Sequence, residues 1–164
     1  MKSWPAIALV AASLALTFDT SKAQNEVASR NIEYAQHSGT KLTGDLYLRV
    51  AKAPLIIAVH GGGWQNGSPA AFKYWGSFLA KKGYGLFAIK YRLGKAGLYP
   101  GAVYDVKAAI QFARANGADL GIDPERIGLW GDSAGGIWSP WSGSQPTSSV
   151  PNTGTILMLL RRRR

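Results

Sequence analysis

The sequence predicts an α/β fold with a mostly parallel sheet and crossover helices. Short apolar runs alternate with helical segments along residues 24–136, and two of these runs lead into glycine-rich segments. Strands that alternate with helices form parallel sheets joined by right-handed crossovers. Functional groups of such sheets lie at the carboxyl ends of the strands, which makes the two glycine-rich segments the first candidates for a site.

The apolar runs predict the strands in chain order. The first run alternates leucines with polar residues between glycines, which is typical of a half-buried strand. The next runs are short and continuously apolar, as in strands that are buried on both faces. The four predicted strands cover residues 42–48, 55–59, 86–89 and 126–130.

Two helices are predicted between the later strands. Ser68 is a candidate N-cap with Pro69 at the first helical position, and Gly83 ends this helix. The second helix follows Pro100 and stops at Asn116. The residues expected to face the sheet are Phe72, Trp75 and Leu79 in the first helix and Val103, Val106, Ile110 and Ala113 in the second.

Residues 1–23 are typical of a secretory signal. Lys2 gives a positive start, residues 6–16 form an apolar run, and Ser21 and Ala23 are small residues before a cleavage point. The run is shorter than the roughly 20 residues that span a bilayer, so no stable membrane anchor is expected. We therefore expect a secreted or periplasmic protein after cleavage near Ala23.

The other end of the chain changes composition after Gly136. From residue 137 to 155, 14 of 19 residues are Ser, Pro, Gly, Thr or Asn, which is typical of loops or disorder. A short apolar run and Arg161–Arg164 follow. We expect residues 137–164 to be a disordered, non-homologous tail that begins where the reading frame or gene model departs. A basic surface binder that uses the four arginines is an alternative.

Charge and composition exclude several function classes. The net charge is +10, but the last four arginines supply a large part of it, and the remaining excess does not predict nucleic-acid binding. There is no cysteine, which excludes disulfides, thiolate zinc sites and a cysteine nucleophile. Neither the phosphate-binding motif G-x-x-x-x-G-K-[ST] nor the dinucleotide-binding motif G-x-G-x-x-G occurs at the two glycine-rich segments. The sequence does not predict an oligomeric state.

The segment 131–135 (GDSAG) fits the G-x-S-x-G pattern of a nucleophile elbow. This turn from strand to helix presents a serine hydroxyl above the sheet, and its glycines are required because the backbone is crowded there. Alone, the pattern also fits an ordinary turn.

The segment 60–63 (HGGG) adds weight to the elbow interpretation because it also follows a buried strand. Residues without side chains leave backbone N–H groups free to bind a developing oxyanion, and each such donor stabilises acyl transfer by roughly 3–4 kcal/mol. A flexible glycine turn is the alternative. Two such motifs in the correct order, about 70 residues apart, favour serine-based acyl transfer.

The motifs together resemble α/β-hydrolase esterases of the hormone-sensitive-lipase-like and BD-FAE-like groups. The resemblance covers about residues 30–136 and implies the N-terminal portion of an α/β-hydrolase fold. The matching segments are 60–64 (HGGGW), 91–93 (YRL), 99–100 (YP), 105–109 (DVKAA), 121–127 (GIDPERI) and 131–136 (GDSAGG).

The resemblance implies a role for each matching residue. Ser133 matches the nucleophile, and the backbone N–H groups of Gly62, Gly63 and Ala134 match the oxyanion hole. The residues that support the two motifs are His60, Gly61, Gly131, Asp132 and Gly135. Tyr91 and Arg92 match structural positions, and Asp105 and Asp123 are expected to be caps or ion-pair partners. The resemblance implies no cofactor or metal, and a small ester or an acetylated or feruloylated polysaccharide as substrate.

A serine nucleophile needs a histidine base and a carboxylate that orients it, in the chain order Ser, Asp or Glu, His. No Asp or Glu follows Asp132, and no His follows His60. The other histidine, His37, is expected at the antiparallel edge of the sheet. Loss of the base costs on the order of 10⁶ in turnover. We therefore expect a carboxylic-ester hydrolase by resemblance with impaired activity; the alternative is an inactive remnant or binding module of the same fold.

Overall fold

The computed structural model describes residues 27–37, 39–138, 148–149 and 155–160 of the chain. Within these residues, seven strands belong to one mixed sheet. The strands are β1 (Ala28–His37), β2 (Thr40–Leu48), β3 (Ala53–Val59), β4 (Gly85–Ile89), β5 (Ile122–Asp132), β6 (Ser148–Ser149) and β7 (Thr155–Leu160). All four strands predicted from the sequence are therefore present.

The strand order across the sheet is β1-β2-β4-β3-β5-β7-β6. The centre of the sheet is parallel, with Ile57 of β3 in register with Phe87 of β4 on one side and Leu129 of β5 on the other. β1 and β2 form an antiparallel hairpin, and β2 pairs antiparallel with β4. The predicted parallel sheet is thus confirmed, and the carboxyl ends of β3, β4 and β5 lie at one edge.

Helices cover both faces of this sheet. The α-helices are α1 (Lys73–Lys81), α2 (Gly101–Ala115) and the short α3 (Gly117–Leu120). Short 3₁₀ helices occupy Pro69–Phe72, Gly94–Gly97 and Ser133–Trp138. In the described part of the chain no helix is both long enough and apolar enough to cross a membrane.

The face covered by α2 has the larger core. All four residues predicted to form the inner face of this helix, from Val103 to Ala113, are buried. They pack in one cluster with alternate residues of the central strands, such as Leu55 and Ile57 of β3. Amphipathic spacing at i, i+3, i+7 and i+10 therefore predicted the orientation of α2 correctly.

The prediction for α1 was partly wrong. Trp75 is 43% exposed, whereas Phe72, Gly76 and Ala80 form the buried face. Gly76 is buried because the Tyr47 ring packs directly on its backbone, and a Cβ there would collide with that ring. Ser68 occupies the N-cap position and Pro69 the start of the 3₁₀ turn that precedes α1, as predicted, but the Ser68 side chain makes no capping hydrogen bond.

β5 does not form an edge of the sheet, because β7 pairs antiparallel with it. Residues 155–160, part of the segment expected to be disordered, form this strand. An apolar strand beside β5 satisfies backbone N–H and C=O groups that an open edge would leave unpaired. The predicted signal in residues 1–23 and most of the predicted tail lie outside the described residues.

Candidate active site

The two glycine-rich segments meet where β3 and β5 end. Val59 and Gly131, near the ends of the two strands, are paired in register. A Cβ at Gly135 would collide with the carbonyl oxygen of Val59, and a Cβ at Gly61 would lie 3.1 Å from the Cβ of Ser133. The backbones of the two segments are therefore in direct contact: a side chain at Gly135 would force the backbone to move, and one at Gly61 would be tightly crowded.

Ser133 sits in a sharp turn directly after β5. Its φ is +47°, in the left-handed region that residues with a side chain rarely adopt, and its side chain is exposed. The turn is so tight that a Cβ at Gly131 would collide with the carbonyl oxygen of Gly135. Such a strained, exposed serine is the geometry that a nucleophile elbow requires.

The segment after β3 holds two further predicted residues in an open turn. Gly62 and Gly63 have φ values of +114° and +59°. The carbonyl of Gly62 accepts hydrogen bonds from the N–H groups of Gln65 (3.1 Å) and Asn66 (3.0 Å). Within residues 39–138 the N–H groups of Gly62 and Gly63 donate to no backbone carbonyl, which leaves them available as donors.

The buried side chain of His60 packs against this turn and holds it in place. Its ring is buried, stacks on Tyr91 with 4.6 Å between ring centroids, and donates from Nδ1 to the carbonyl of Gly61 at 2.8 Å. The Tyr91 hydroxyl donates to the His60 carbonyl at 2.8 Å. Burial lowers the pKa of His60 and raises the pKa of Tyr91 to about 12, so both side chains are neutral near pH 7.

The sequence assigned no role to two residues of this support, although Trp64 lies in the matching segment 60–64. Gly67 packs against the His60 ring, and a Cβ there would collide with Nδ1. Trp64 donates from Nε1 to the carbonyl of Ala134 at 3.1 Å, while its own carbonyl accepts from the N–H of Gly94 at 2.8 Å. Trp64 therefore links the segment after β3 to the elbow and to the loop after β4.

An ion pair fixes the loop after β4 to α2. Arg92 donates from Nε to both carboxylate oxygens of Asp105 (2.9 and 3.1 Å) and from Nη2 at 2.8 Å. The backbone N–H of Arg92 adds a fourth contact, at 2.9 Å. Asp105 is fully buried, and Asp123 pairs at the surface with Arg126. The expectation that Asp105 and Asp123 are ion-pair partners is therefore confirmed.

Neither histidine of the chain contacts Ser133 in the described residues. His60 is occupied by Gly61 and Tyr91. His37 ends β1, and four inter-strand spacings of about 4.8 Å put it about 19 Å from β5. The Nε2 atom of His37 lies instead 3.7 Å from a carboxylate oxygen of Asp105. No group of three or more potential metal ligands occurs in the described part of the chain.

Comparison with known proteins finds esterases. Residues 45–149 match the BD-FAE family model, so the match continues past Gly136. Esterase LipC of Mycobacterium tuberculosis is 41% identical over 92 residues, which are 56% of this chain and 23% of LipC. The BD-FAE match alone covers more than half of the chain.

Solved structures give the same result. A bacterial heroin esterase superposes with a TM-score of 0.66 at 27% identity over 73% of this chain and 39% of its own. Esterase Est2 from the Planctomycetes species Thermogutta terrifontis has a TM-score of 0.63 at 28% identity, with 76% of this chain and 47% of its own covered. The chain thus spans about a quarter of LipC and less than half of these two structures.

Proposed function

Because the chain belongs to the BD-FAE family of α/β-hydrolase carboxylesterases and forms the N-terminal portion of that fold, we propose that it carries the nucleophile and oxyanion hole of a serine ester hydrolase. The observation that carries this proposal is the contact between the two glycine-rich segments. That contact puts Gly61 against Ser133, with the donors of Gly62 and Gly63 one and two residues away.

In the proposed reaction, the Ser133 hydroxyl oxygen attacks the carbonyl carbon of the ester, and its proton passes to solvent water, which in turn protonates the leaving alkoxide. The N–H groups of Gly62, Gly63 and Ala134 bind the resulting oxyanion. The intermediate collapses with loss of the alcohol, and water then hydrolyses the acyl-serine to release the acid. His60 and Tyr91 hold the donor turn in place and take no proton from Ser133.

We further propose that the chain, as it stands, turns over slowly. The proton of Ser133 needs an acceptor, and neither histidine contacts that hydroxyl in the described residues. A serine triad enzyme without its base retains about 10³–10⁴-fold acceleration over water, which comes from the oxyanion hole and substrate binding. Weak but measurable hydrolysis that depends on Ser133 is therefore expected.

The test is hydrolysis of p-nitrophenyl acetate by the purified chain and two variants. Ser133→Ala should reduce the rate to that of buffer, because it removes the nucleophile. Ser77→Ala, a serine on α1, is the matched control and should leave the rate unchanged. Equal rates for Ser133→Ala and the unaltered chain would refute the proposed nucleophile.

The second candidate is a binding module of the same fold that does not hydrolyse esters. The position of His37, about four strands from β5, favours it. In this case the chain would bind an ester and release it unchanged. Binding of an ester in the absence of any Ser133-dependent hydrolysis would support the binding module over the enzyme.

We propose small carboxylic esters as the substrates and keep acylated polysaccharide as a prediction from the family resemblance.

We also propose export with cleavage after Ala23. Expression in a secreting bacterial host tests this proposal, since the exported chain should begin at Gln24 by N-terminal mass analysis. An exported or retained chain that still begins at Met1 would contradict it.

A further inference from the structure

The outward side of α1 carries three large aromatic side chains. Tyr74, Trp75 and Phe78 are 71%, 43% and 41% exposed, and we call the surface that they form the aromatic face. Their rings contact one another, with centroids 5.5 Å apart for Tyr74 and Trp75 and 6.0 Å apart for Trp75 and Phe78. Contiguous apolar side chains of this size at a protein surface mark an interaction site.

The aromatic face is anchored to the core beneath α1. Trp75 packs edge-on against Trp130 of β5, with 5.4 Å between ring centroids, and Trp130 packs in the same way against the buried ring of Phe72 at 5.1 Å. Phe72 and Trp130 belong to the core cluster on this side of the sheet. Because packing already holds the rings, little side-chain freedom is lost when a partner binds them.

The outward side of α2 has a different character. Its exposed residues are Tyr104, Lys107, Gln111 and Ala115, so a single ring stands among polar and small side chains. The aromatic face is therefore a particular property of α1 and is not shared by the helix on the other side of the sheet.

Positive charge borders the aromatic face. Lys73 and Lys81 are exposed at the two ends of α1, and Lys82 follows with its Nζ atom 5.9 Å from the centroid of the Phe78 ring. Residues 46–104 contain no Asp or Glu, whereas they contain eight Lys and Arg residues. Along α1 the lysines thus have no neighbouring carboxylate of the same segment to balance them.

This combination of rings and lysines favours a flat anionic surface as the partner. A second copy that used the same face would bring the lysines of the two chains together, and such like-charge contacts are unfavourable. A membrane with anionic phospholipids complements both features. Trp and Tyr rings are favourable at the level of the lipid headgroups, and lysines extend their ammonium groups toward the phosphates.

We propose that the aromatic face docks reversibly on the surface of an anionic phospholipid membrane. The nine residues of α1 span about 14 Å, so the contact is shallow and leaves the whole chain on one side of the bilayer. Ser133 lies at the carboxyl edge of the sheet, beyond the end of β5, whereas the aromatic face covers one side of the sheet. Docking therefore leaves the candidate active site open to solvent.

The experiment is co-sedimentation of the full chain with phospholipid vesicles. One set contains phosphatidylcholine with phosphatidylglycerol, and the other contains phosphatidylcholine alone. We expect the chain to bind the anionic vesicles at least ten-fold more tightly than the neutral ones. Binding should weaken between about 0.1 M and about 1 M salt, because the screening length falls from about 10 Å to about 3 Å.

Ring variants test the aromatic face. Tyr74→Ser and Phe78→Ser should each weaken binding to the anionic vesicles by about five-fold, because each removes an apolar group from the contact. Tyr104→Ser is the matched control, since it removes an exposed ring from the other side of the sheet, and should leave binding unchanged. Circular dichroism of each variant checks that it is folded.

Charge variants test the lysines. Replacing Lys81 and Lys82 together by glutamine should weaken binding to the anionic vesicles by about 25-fold, or about five-fold for each charge. Lys107→Gln, at an exposed lysine of α2, is the control and should have little effect.

Four outcomes would overturn the proposal. The chain does not sediment with anionic vesicles; it binds neutral vesicles equally well; the two ring variants bind like Tyr104→Ser; or binding survives in the ring variants but is lost when Arg161–Arg164 are replaced by glutamine. In addition, sedimentation velocity without vesicles should show a monomer. A dimer that Phe78→Ser dissociates would assign the aromatic face to a second copy and would also overturn membrane docking. Because no ester is present, none of these results depends on turnover at Ser133.

Discussion

Two junctions at the carboxyl edge of the sheet are held together in opposite ways. The glycine junction joins the segment after β3 to the elbow after β5 through Gly61 and Gly135, which allow backbone to meet backbone. The ionic junction joins the loop after β4 to α2 through the buried pair of Arg92 and Asp105. The first depends on the absence of side chains, and the second on two complementary ones.

This difference predicts how each junction fails. Adding a methyl group at Gly135 forces the backbone to shift where the elbow meets the end of β3. Removing Asp105 from the ionic junction leaves the charge of Arg92, whose side chain is only 18% exposed, without its partner, and this costs more than the pair contributes. His60 and Tyr91 lie between the two junctions: His60 precedes Gly61, Tyr91 precedes Arg92, and their side chains contact each other.

The largest effect is expected at the ionic junction. Asp105→Ala should lower the free energy of unfolding by about 3–5 kcal/mol, because Arg92 then loses a fully buried partner. Asp123→Ala, which breaks the exposed pair with Arg126, is the control and should cost far less. Urea unfolding measures both. Similar losses for the two variants would show that burial of the pair is unimportant.

The next effect is expected at the glycine junction. Gly135→Ala should cost about 3 kcal/mol, because its Cβ meets the Val59 carbonyl and the backbone must move. Gly83→Ala is the control, with φ +86° but nothing within 4 Å, and should cost about 1 kcal/mol from backbone strain alone. If urea unfolding gives equal costs, close packing at Gly135 is not what holds the junction.

A smaller effect is expected for the link between the junctions. Tyr91→Phe removes the buried hydrogen bond to the His60 carbonyl and should cost about 1 kcal/mol. Tyr104→Phe, at an exposed tyrosine of α2, should be neutral. Thermal unfolding of both variants provides the comparison, and a neutral Tyr91→Phe would mean that ring stacking alone positions His60.

The smallest effect is a pH dependence at His60. Burial lowers the pKa of this histidine in the folded chain, so the unfolded chain binds the proton more readily. Its contribution to stability is therefore complete above the unfolded pKa of about 6.5 and declines as the pH falls below that value. The free energy of unfolding should decline less steeply between pH 7 and 5 in His60→Gln. His37→Gln is the control and should keep the His60 contribution; identical slopes for His60→Gln and the unaltered chain would contradict the prediction.

The sequence predicts those parts of the molecule in which residue type and backbone geometry are tightly coupled. Glycines around Ser133 predict a turn that no other residue can form, and the spacing from Val103 to Ala113 predicts which face of α2 is buried. The face of α1 was predicted less well, because Gly76 is buried by the Tyr47 ring rather than by its own apolarity. Hydrophobic periodicity cannot detect a glycine that serves as a contact surface.

Contacts between distant segments were also missed. The bond from Trp64 to Ala134 joins residues 70 positions apart, and its only signal was an aromatic residue directly after three glycines. Gly67 gave a clearer signal as a fourth glycine near His60. The pairing of β7 with β5 could not be inferred from a run of five apolar residues, because such a run fits any environment that shields it from water.

The position of β3 between β4 and β5 has a consequence for the order of folding. The β1–β2 hairpin closes a loop of a few residues and the β3–β4 pairing closes one of about 30, whereas the pairing of Val59 with Gly131 closes one of about 70 residues. Long loops cost more entropy to close, and non-local strand pairs form slowly. The glycine junction is therefore expected to assemble late, and during synthesis it cannot form until the ribosome has released Gly135. Ser133 becomes a candidate nucleophile only in the last stage of folding.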